Sequence, residues 1–235
     1  MPLLRYKNNY SLTINNMKRL ALSLVLVFCL ISTINAQEKT RGFFITGGIG
    51  MGFIHNVGNL NNSLGQFDPQ YKDLGNIEAN YKIGAGFYFF DKLSIKYELA
   101  VSDMFFVMED HQYTELNSGS AILSAGYVIY RHSSYDLELN AGVKFEGSSL
   151  LHTREVAGVV NSLSIQSWNT LMPVGITWWI YPSGKASMAN RAIGINLSYD
   201  ILLSKEGVRY AGLKTNAPYP SFHSNSLKFG LYFRI

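Results

Sequence analysis

The chain has 235 residues, of which 47% are hydrophobic, 14% are aromatic and only 15% are charged. An ordinary soluble domain has about 25% charged residues, and a disordered chain has few aromatic residues, so the composition fits neither class. Its single cysteine excludes a disulfide framework and a cysteine-based structural zinc site. Few charges combined with many aromatic residues and glycines favour a membrane setting.

The first 36 residues have the layout of a secretory signal peptide. An apolar run at residues 20–32 follows Lys18 and Arg19, and the small residue Ala36 comes shortly after it. This run is too short for a membrane-spanning helix, which needs about 20 residues. We therefore expect cleavage after Ala36, with Met17 as an alternative initiator.

Residues 37–235 are expected to form one exported domain. The leader contains four basic residues and no acidic residue, so sixteen residues of each sign remain in the mature chain. Its formal net charge is zero, which gives no support to a nucleic-acid partner.

Hydrophobic residues alternate with polar or small residues along most of the mature chain, and no segment shows a clear helical stripe. The alternation indicates an all-β fold. Each alternating run has 9 to 12 residues, close to the 9–11 that a tilted strand needs to cross a membrane. The eight runs are residues 43–54, 79–90, 93–102, 120–130, 136–146, 170–181, 191–202 and 227–235.

One face of these runs is apolar, and the other carries charges and ten glycines. A water-soluble sandwich needs no glycine enrichment on its polar face, whereas the crowded interior of a small barrel favours small residues and paired charges. The pattern therefore predicts an eight-stranded antiparallel up-and-down transmembrane β-barrel with an apolar exterior. The ten charges expected in its lumen are Lys82, Lys96, Glu98, Asp136, Glu138, Lys144, Glu146, Asp200, Lys228 and Arg234.

The connections between the runs alternate between short and long. Short turns are predicted on the periplasmic side and four long loops on the outer side, at residues 55–78, 103–119, 147–169 and 204–226. Pro173 removes a ladder hydrogen bond, so an irregularity is expected in the sixth strand. An interfacial aromatic girdle is expected near the turns, with Phe89, Tyr127, Trp178 and Phe233 among its members.

Three features resemble those of a known family. The leader ending at Ala36, the glycine-rich residues 42–50 and the alternating residues 227–235 are similar to those of small eight-stranded outer-membrane β-barrels of Gram-negative bacteria, including the PorT-like barrels. The resemblance implies location in the cell outer membrane, contact with lipid and lipopolysaccharide, and assembly by the barrel-assembly machinery. It implies no cofactor. Ile235 departs from the more common terminal phenylalanine.

Several chemical alternatives depend on individual residues. Gly48, Gly50 and Gly52 lack the spacing of a nucleotide-binding loop, and the five dispersed histidines show no metal-ligand spacing. His223 and Ser224 resemble the pair of outer-membrane deacylases but are adjacent, which points them to opposite faces of a strand. The lumenal charges are interpreted as a structural ion-pair network, with a proton or ion path as the alternative.

Together these features predict a non-catalytic structural or surface-binding protein that acts through its four outer loops. The first alternative is a PorT-like subunit of a protein-secretion or envelope-assembly machine, with an envelope or extracellular protein as partner. The second alternative is a lipid-modifying enzyme of the outer membrane. No cofactor and no metal is expected.

Overall fold

The computed structural model describes most of the chain after residue 41. The predicted signal peptide and its cleavage site lie outside the described residues. Among the described residues, no helix has the length and apolar character that crossing a bilayer would require. The described residues are 42–55, 57–68, 74–89, 92–109, 112–156, 159–184, 191–212 and 225–235.

Eight antiparallel strands form a closed barrel in which each strand pairs with its neighbours in sequence and the last pairs with the first. The predicted all-β, eight-stranded antiparallel up-and-down barrel is therefore confirmed. The strands are β1 (Phe43–Ile54), β2 (Ile77–Phe89), β3 (Leu93–Glu109), β4 (Gln112–Arg131), β5 (Tyr135–Val156), β6 (Val159–Ile180), β7 (Ala192–Gly212) and β8 (Ser226–Arg234).

The barrel closes between β1 and β8 along a line of small side chains. Gly50 lies opposite Gly230 in this register. A Cβ atom built at Gly50 would lie 2.5 Å from the carbonyl oxygen of Phe229, so a larger residue would push the two strands apart. The inward glycines therefore permit the close backbone approach that a narrow closed barrel requires.

The strands β3 to β7 are much longer than predicted, at 17 to 22 residues each. The predicted loops at residues 103–119 and 147–169 are wrong over most of their length, because these residues largely continue the strands. Residues 204–212 of the loop predicted at 204–226 likewise continue β7, and residues 213–224 lie outside the described residues. The β7–β8 ladder ends at Asp200, whereas the β6–β7 ladder continues to Gly212. One end of the barrel thus projects beyond the part closed by β8, and we call it the extended end. The opposite end, with the short turns, is the turn end.

The hydrophobic pattern reverses where the extended end begins. On β5, Phe145 faces outward and is 59% exposed, whereas Leu150 faces inward and is 1% exposed. On β6, Trp168 faces outward and Ile165 faces inward. Side chains still alternate between the two faces, but aliphatic residues now occupy inward positions instead of outward ones. The runs predicted from an apolar outer face therefore stop short of these inward residues.

A helix lies inside the extended end. Helix α1 (Val57–Phe67) lies within the segment predicted as the outer loop 55–78, so the loop prediction was wrong for these residues. Its Val57, Leu60 and Leu64 are buried and follow helical spacing. Glycine and asparagine are weak helix formers and are frequent in this segment, which concealed the stripe. The stripe packs into a cluster with Ile54, Leu74, Leu116, Leu150, Leu163 and Ile165.

The pairing of β6 is irregular around Pro173, as the sequence predicted. The ladder with β5 is interrupted at Met172 and Pro173, and the ladder with β7 shifts register between Thr170 and Leu171. The missing N–H group of proline accounts for the interruption.

Candidate functional site

The ten predicted lumenal charges all lie on inward positions of the barrel. Eight of them are buried, with at most 6% of the residue surface exposed: Lys96, Asp136, Glu138, Lys144, Glu146, Asp200, Lys228 and Arg234. Lys82 and Glu98 are half-buried and border an internal cavity. Two ionic groups that the sequence interpretation did not include pair with these charges, Glu78 in the interior and Arg131 at the rim.

Glu138 is the centre of one network in the barrel interior. Its carboxylate accepts hydrogen bonds from the Lys96 ammonium at 2.7 Å, the Tyr88 hydroxyl at 2.9 Å and the Trp179 indole at 3.1 Å. Lys96 also donates to Asn140, whose amide donates to Thr177 at 3.0 Å. Four strands supply these groups, so the network links strands that are distant around the barrel wall.

The turn end is closed by Arg234 and the aromatic rings around it. The guanidinium donates to the hydroxyls of Tyr88 and Tyr181. It also lies 4.6 Å from the ring centroid of Trp179 and 5.9 Å from that of Phe44. Cation–π contacts stabilise a guanidinium by about 0.5–2 kcal/mol, with the larger values at desolvated sites.

Asp136 connects this cage to the rim of the turn end. It accepts a hydrogen bond from the Tyr181 hydroxyl at 2.6 Å and a bidentate contact from Arg131, at 2.9 and 3.1 Å. Arg131 was assigned to a turn in the sequence interpretation, and only its direct pairing with Asp136 across the β4–β5 hairpin reveals its role.

A second network lies toward the extended end. Lys144 pairs with Asp200 at 2.9 Å and with Glu146. Lys228 pairs with Asp200 at 3.3 Å and with Glu78 at 2.7 Å. Glu78 was missed because it was placed in an outer loop, although it is the second residue of β2. This network has two cations and three anions, whereas the first has three cations and two anions.

A polar cavity of about 50 Å³ lies beside the first network and is lined by its Lys96, Asn140 and Thr177. Such a volume can hold about three waters. Lys82 lies 5.5 Å from the centroid of the Tyr232 ring and borders the cavity together with Glu98 and Thr46. The Thr46 hydroxyl is buried without a hydrogen-bond partner in the protein, so water in the cavity would satisfy it.

The interior is built as a set of paired charges around a small cavity. In the described part of the chain, aromatic side chains around Arg234 fill the turn end and helix α1 fills the extended end. This geometry fits the ion-pair interpretation better than a wide channel, because charges in a low-dielectric interior require partners.

The predicted girdle residues lie near the turn end. Tyr127, Trp178 and Phe233 face outward and are 44–50% exposed, while Phe89 is half-buried. The Tyr135 ring makes an edge contact with Trp178, with centroids 5.9 Å apart. Aromatic side chains at this position suit a membrane–water interface.

Helix α1 is held in the extended end by specific polar contacts. The Asn61 amide donates to the carbonyl of Leu74 and accepts from its N–H, both at 3.0 Å. Asp68, which follows the helix, pairs with Arg154 and lies 3.4 Å from Nε2 of His152. We call Asp68, His152 and Arg154 the latch.

His152 is the buried member of the latch. Its Nδ1 lies 2.8 Å from the hydroxyl of Thr114. Burial lowers the pKa of His152, and the positive charge of Arg154 lowers it further, while Asp68 acts in the opposite direction. The imidazole is therefore neutral at pH 7.

The histidines do not form a metal centre among the described residues, and no group of three or more potential ligands occurs there. His55 contacts the Tyr199 ring, and His132 stacks on Tyr135. His111 and the His223–Ser224 pair considered for acyl chemistry lie outside the described residues.

The barrel shares its fold with an outer-membrane protein of known structure. A major outer membrane protein from Thermus thermophilus matches with a TM-score of 0.51 and 9% identity, over 83% of this chain and 100% of that chain. Neisserial surface protein A matches with a TM-score of 0.46 and 12% identity, over 84% and 99%. Ail, the attachment invasion locus protein of Yersinia pestis, matches with a TM-score of 0.45 and 12% identity, over 84% and 100%.

At these identities the likeness shows the fold alone. The sequence matches no family profile and no curated protein. The resemblance to PorT-like barrels therefore stays a prediction.

Proposed function

We propose that this chain is an integral protein of the bacterial outer membrane, non-catalytic, and that it acts as a structural or surface-binding protein through its extended end. The observation that carries the proposal is the reversal of polarity along the strands. Below the reversal, apolar residues face outward and charges face inward, as in a barrel surrounded by lipid. Above the reversal, most outward residues are polar, and aliphatic residues such as Leu150 and Ile165 are buried in the interior together with polar ones, as in a protein domain surrounded by water.

The exposed apolar belt supports a lipid environment. Ile49 and Ile83 face outward from neighbouring strands and are 61% and 63% exposed. Such side chains recur on every strand, and a soluble monomer rarely exposes a continuous apolar surface of this extent. The interface aromatics Tyr127 and Trp178 mark the edge of this belt at the turn end, which we assign to the periplasmic side.

The extended end supports a role outside the membrane. Beyond Gly147, β5 continues for nine residues, which is about 30 Å at the rise of a β-strand. The outward side chains there include Ser149 and Thr153, and those of β4 include Glu115 and Asn117. A filled interior makes this projection a rigid platform, which suits binding at the cell surface better than transport.

Membrane insertion is tested by a matched pair of lysine substitutions. Ile83 and Val160 are almost equally exposed, at 63% and 66%, but only Ile83 lies in the apolar belt. Ile83→Lys should destabilise the barrel in lipid vesicles by about 2–4 kcal/mol, whereas Val160→Lys should have almost no effect. Equal effects of the two substitutions on urea unfolding would contradict the membrane assignment.

The role is tested by deleting the gene and comparing the proteins of the secreted and envelope fractions. We expect unchanged secretion and unchanged lipid masses, together with lost binding to host cells or matrix when the β5–β6 projection is shortened. A block in export would favour a secretion-machine subunit, and an altered lipid A mass would favour an enzyme; either result would contradict the proposal.

A further inference from the structure

The interior of the extended end, which we call the cup, contains a cluster of aliphatic side chains beside the polar groups of the latch. Ile54, Leu116, Leu150, Leu163 and Ile165 are all buried there. These residues come from four strands, β1, β4, β5 and β6, and the buried cluster contains no aromatic ring. This lining differs from the membrane part of the lumen, where charged, polar and aromatic side chains occupy many inward positions.

The segment that fills the cup combines an aliphatic surface with a carboxylate. Val57, Leu60 and Leu64 supply the buried stripe of helix α1, and Leu64 has no exposed surface. Asp68 follows the helix and places its carboxylate against Arg154 and His152. Segment 57–68 therefore presents to the cup an aliphatic surface and a carboxylate, which are the two chemical groups of a fatty acid.

The latch is suited to recognise a carboxylate. A guanidinium binds a carboxylate through strong, directed hydrogen bonds. His152 is held in place by Thr114 and turns its second ring nitrogen toward Asp68, at 3.4 Å. Arg154 is partly exposed, with 24% of its side chain accessible, so the latch can be reached from the solvent.

Helix α1 depends on the cup for its structure. Two of its eleven residues are glycine and three are asparagine, and both residue types have low helix propensity, so the isolated segment forms a weak helix. No ladder hydrogen bond of the barrel involves α1, because the strand pairs run around it. The helix can therefore leave the cup while the barrel wall remains intact.

We propose that the cup is a binding site for an aliphatic carboxylate and that segment 57–68 occupies it as an internal substitute for that ligand. The ligand places its chain among Leu116, Leu150 and Ile165 and its carboxylate on Arg154 and His152, displacing Asp68. Aliphatic carboxylates are thus the ligand class of the extended end. The proposal rests on the proposed function in one respect, because the cup must lie outside the lipid.

The test uses the mature barrel in lipid nanodiscs with dodecanoate as the probe and empty nanodiscs as the reference. Hydrogen exchange of the α1 amides reports release of the helix, and a heat-dependent change in gel mobility separately reports an intact membrane barrel. We expect saturable dodecanoate binding and at least tenfold faster exchange at residues 57–67. Dodecanol, which has no carboxylate, should be at least tenfold less effective.

Two variants make the test specific. Arg154→Gln should reduce dodecanoate binding at least tenfold without changing the heat-dependent mobility. The pair Asn61→Cys and Leu74→Cys, adjacent through their present hydrogen bonds, should abolish binding when oxidised and restore it when reduced. The native sequence has one cysteine, Cys29, which lies in the predicted leader. The two introduced cysteines are therefore the only ones in the predicted mature chain, and no other disulfide can form within it.

Three results would overturn the inference: no saturable binding to an intact barrel, equal binding by the oxidised and reduced pair, or equal binding of dodecanol. If the heat-dependent mobility is lost in the unmodified chain, the membrane assignment fails instead. The two failures are therefore distinguishable.

Discussion

Removing the ammonium of Lys96 should strongly destabilise the barrel. Lys96 lies 2.7 Å from Glu138, whose side chain has no exposed surface, and it is the one lysine that contacts this carboxylate within the described residues. The substitution Lys96→Met keeps the length of the side chain but removes the one cation in direct contact with the Glu138 carboxylate within the described residues. The hydrogen bonds from Tyr88 and Trp179 remain but do not neutralise it.

The expected magnitude follows from the burial of the pair. Breaking a buried ion pair by removing one partner reduces stability by about 3–5 kcal/mol, because an uncompensated charge stays in a low-dielectric interior. This corresponds to a change of roughly two to four powers of ten in the unfolding equilibrium constant. The double variant Lys96→Met with Glu138→Gln should recover part of this loss, since it removes both charges.

The measurement is reversible urea unfolding in lipid vesicles, followed by tryptophan fluorescence. Lys82→Met is the matched control on the neighbouring strand. Lys82 borders the cavity, where water can solvate Glu98, so we expect a loss of at most about 1 kcal/mol. Two results would contradict this reasoning: an equal decrease in the free energy of unfolding for both lysine variants, or a decrease below about 1 kcal/mol for Lys96→Met. Either result would mean that Glu138 is not a desolvated carboxylate that depends on Lys96.

Three further predictions concern the network, the helix and the latch. Gly126→Ala should destabilise the barrel by about 1–3 kcal/mol in the same unfolding assay, because the added methyl would lie 2.5 Å from the Ser94 hydroxyl; an unchanged stability would contradict the packing. Leu64→Ala should weaken the docking of α1 by about 2–5 kcal/mol, seen as faster amide exchange in α1 at an unchanged heat-dependent mobility; slow exchange would argue against a separable helix. The pKa of His152 is lowered, so the open state binds a proton more readily, and the docking of α1 should weaken as the pH falls below about 6.5; His152→Gln should flatten this dependence in the same exchange measurement.

The barrel part of the fold was predictable because one rule governs every strand there. An outward residue such as Ile83 or Phe229 is apolar, and its neighbours along the chain face a narrow interior. The runs predicted at residues 43–54 and 227–235 agree closely with β1 and β8. A period of two is a local property, so a single sequence displays it.

The extended end was not predictable in the same way. Leu150 and Ile165 are apolar because α1 packs on them, and α1 comes from a segment about 90 residues earlier in the chain. The helix itself carries residues of low helix propensity, so only its contacts show why it forms. The latch likewise joins Asp68 to Arg154 across 86 residues.

The amino-acid order alone predicts strands with alternating faces, a polar face of small and charged residues, and a sheet that closes into a barrel. Alternation and closure follow from local periodicity and from the need to pair every backbone N–H and C=O group. Which charges pair, as with Glu78 and Lys228, and where aliphatic residues enter the interior become visible only in the folded barrel. Those outcomes depend on contacts across the lumen between residues far apart in sequence, and no local pattern encodes such distances.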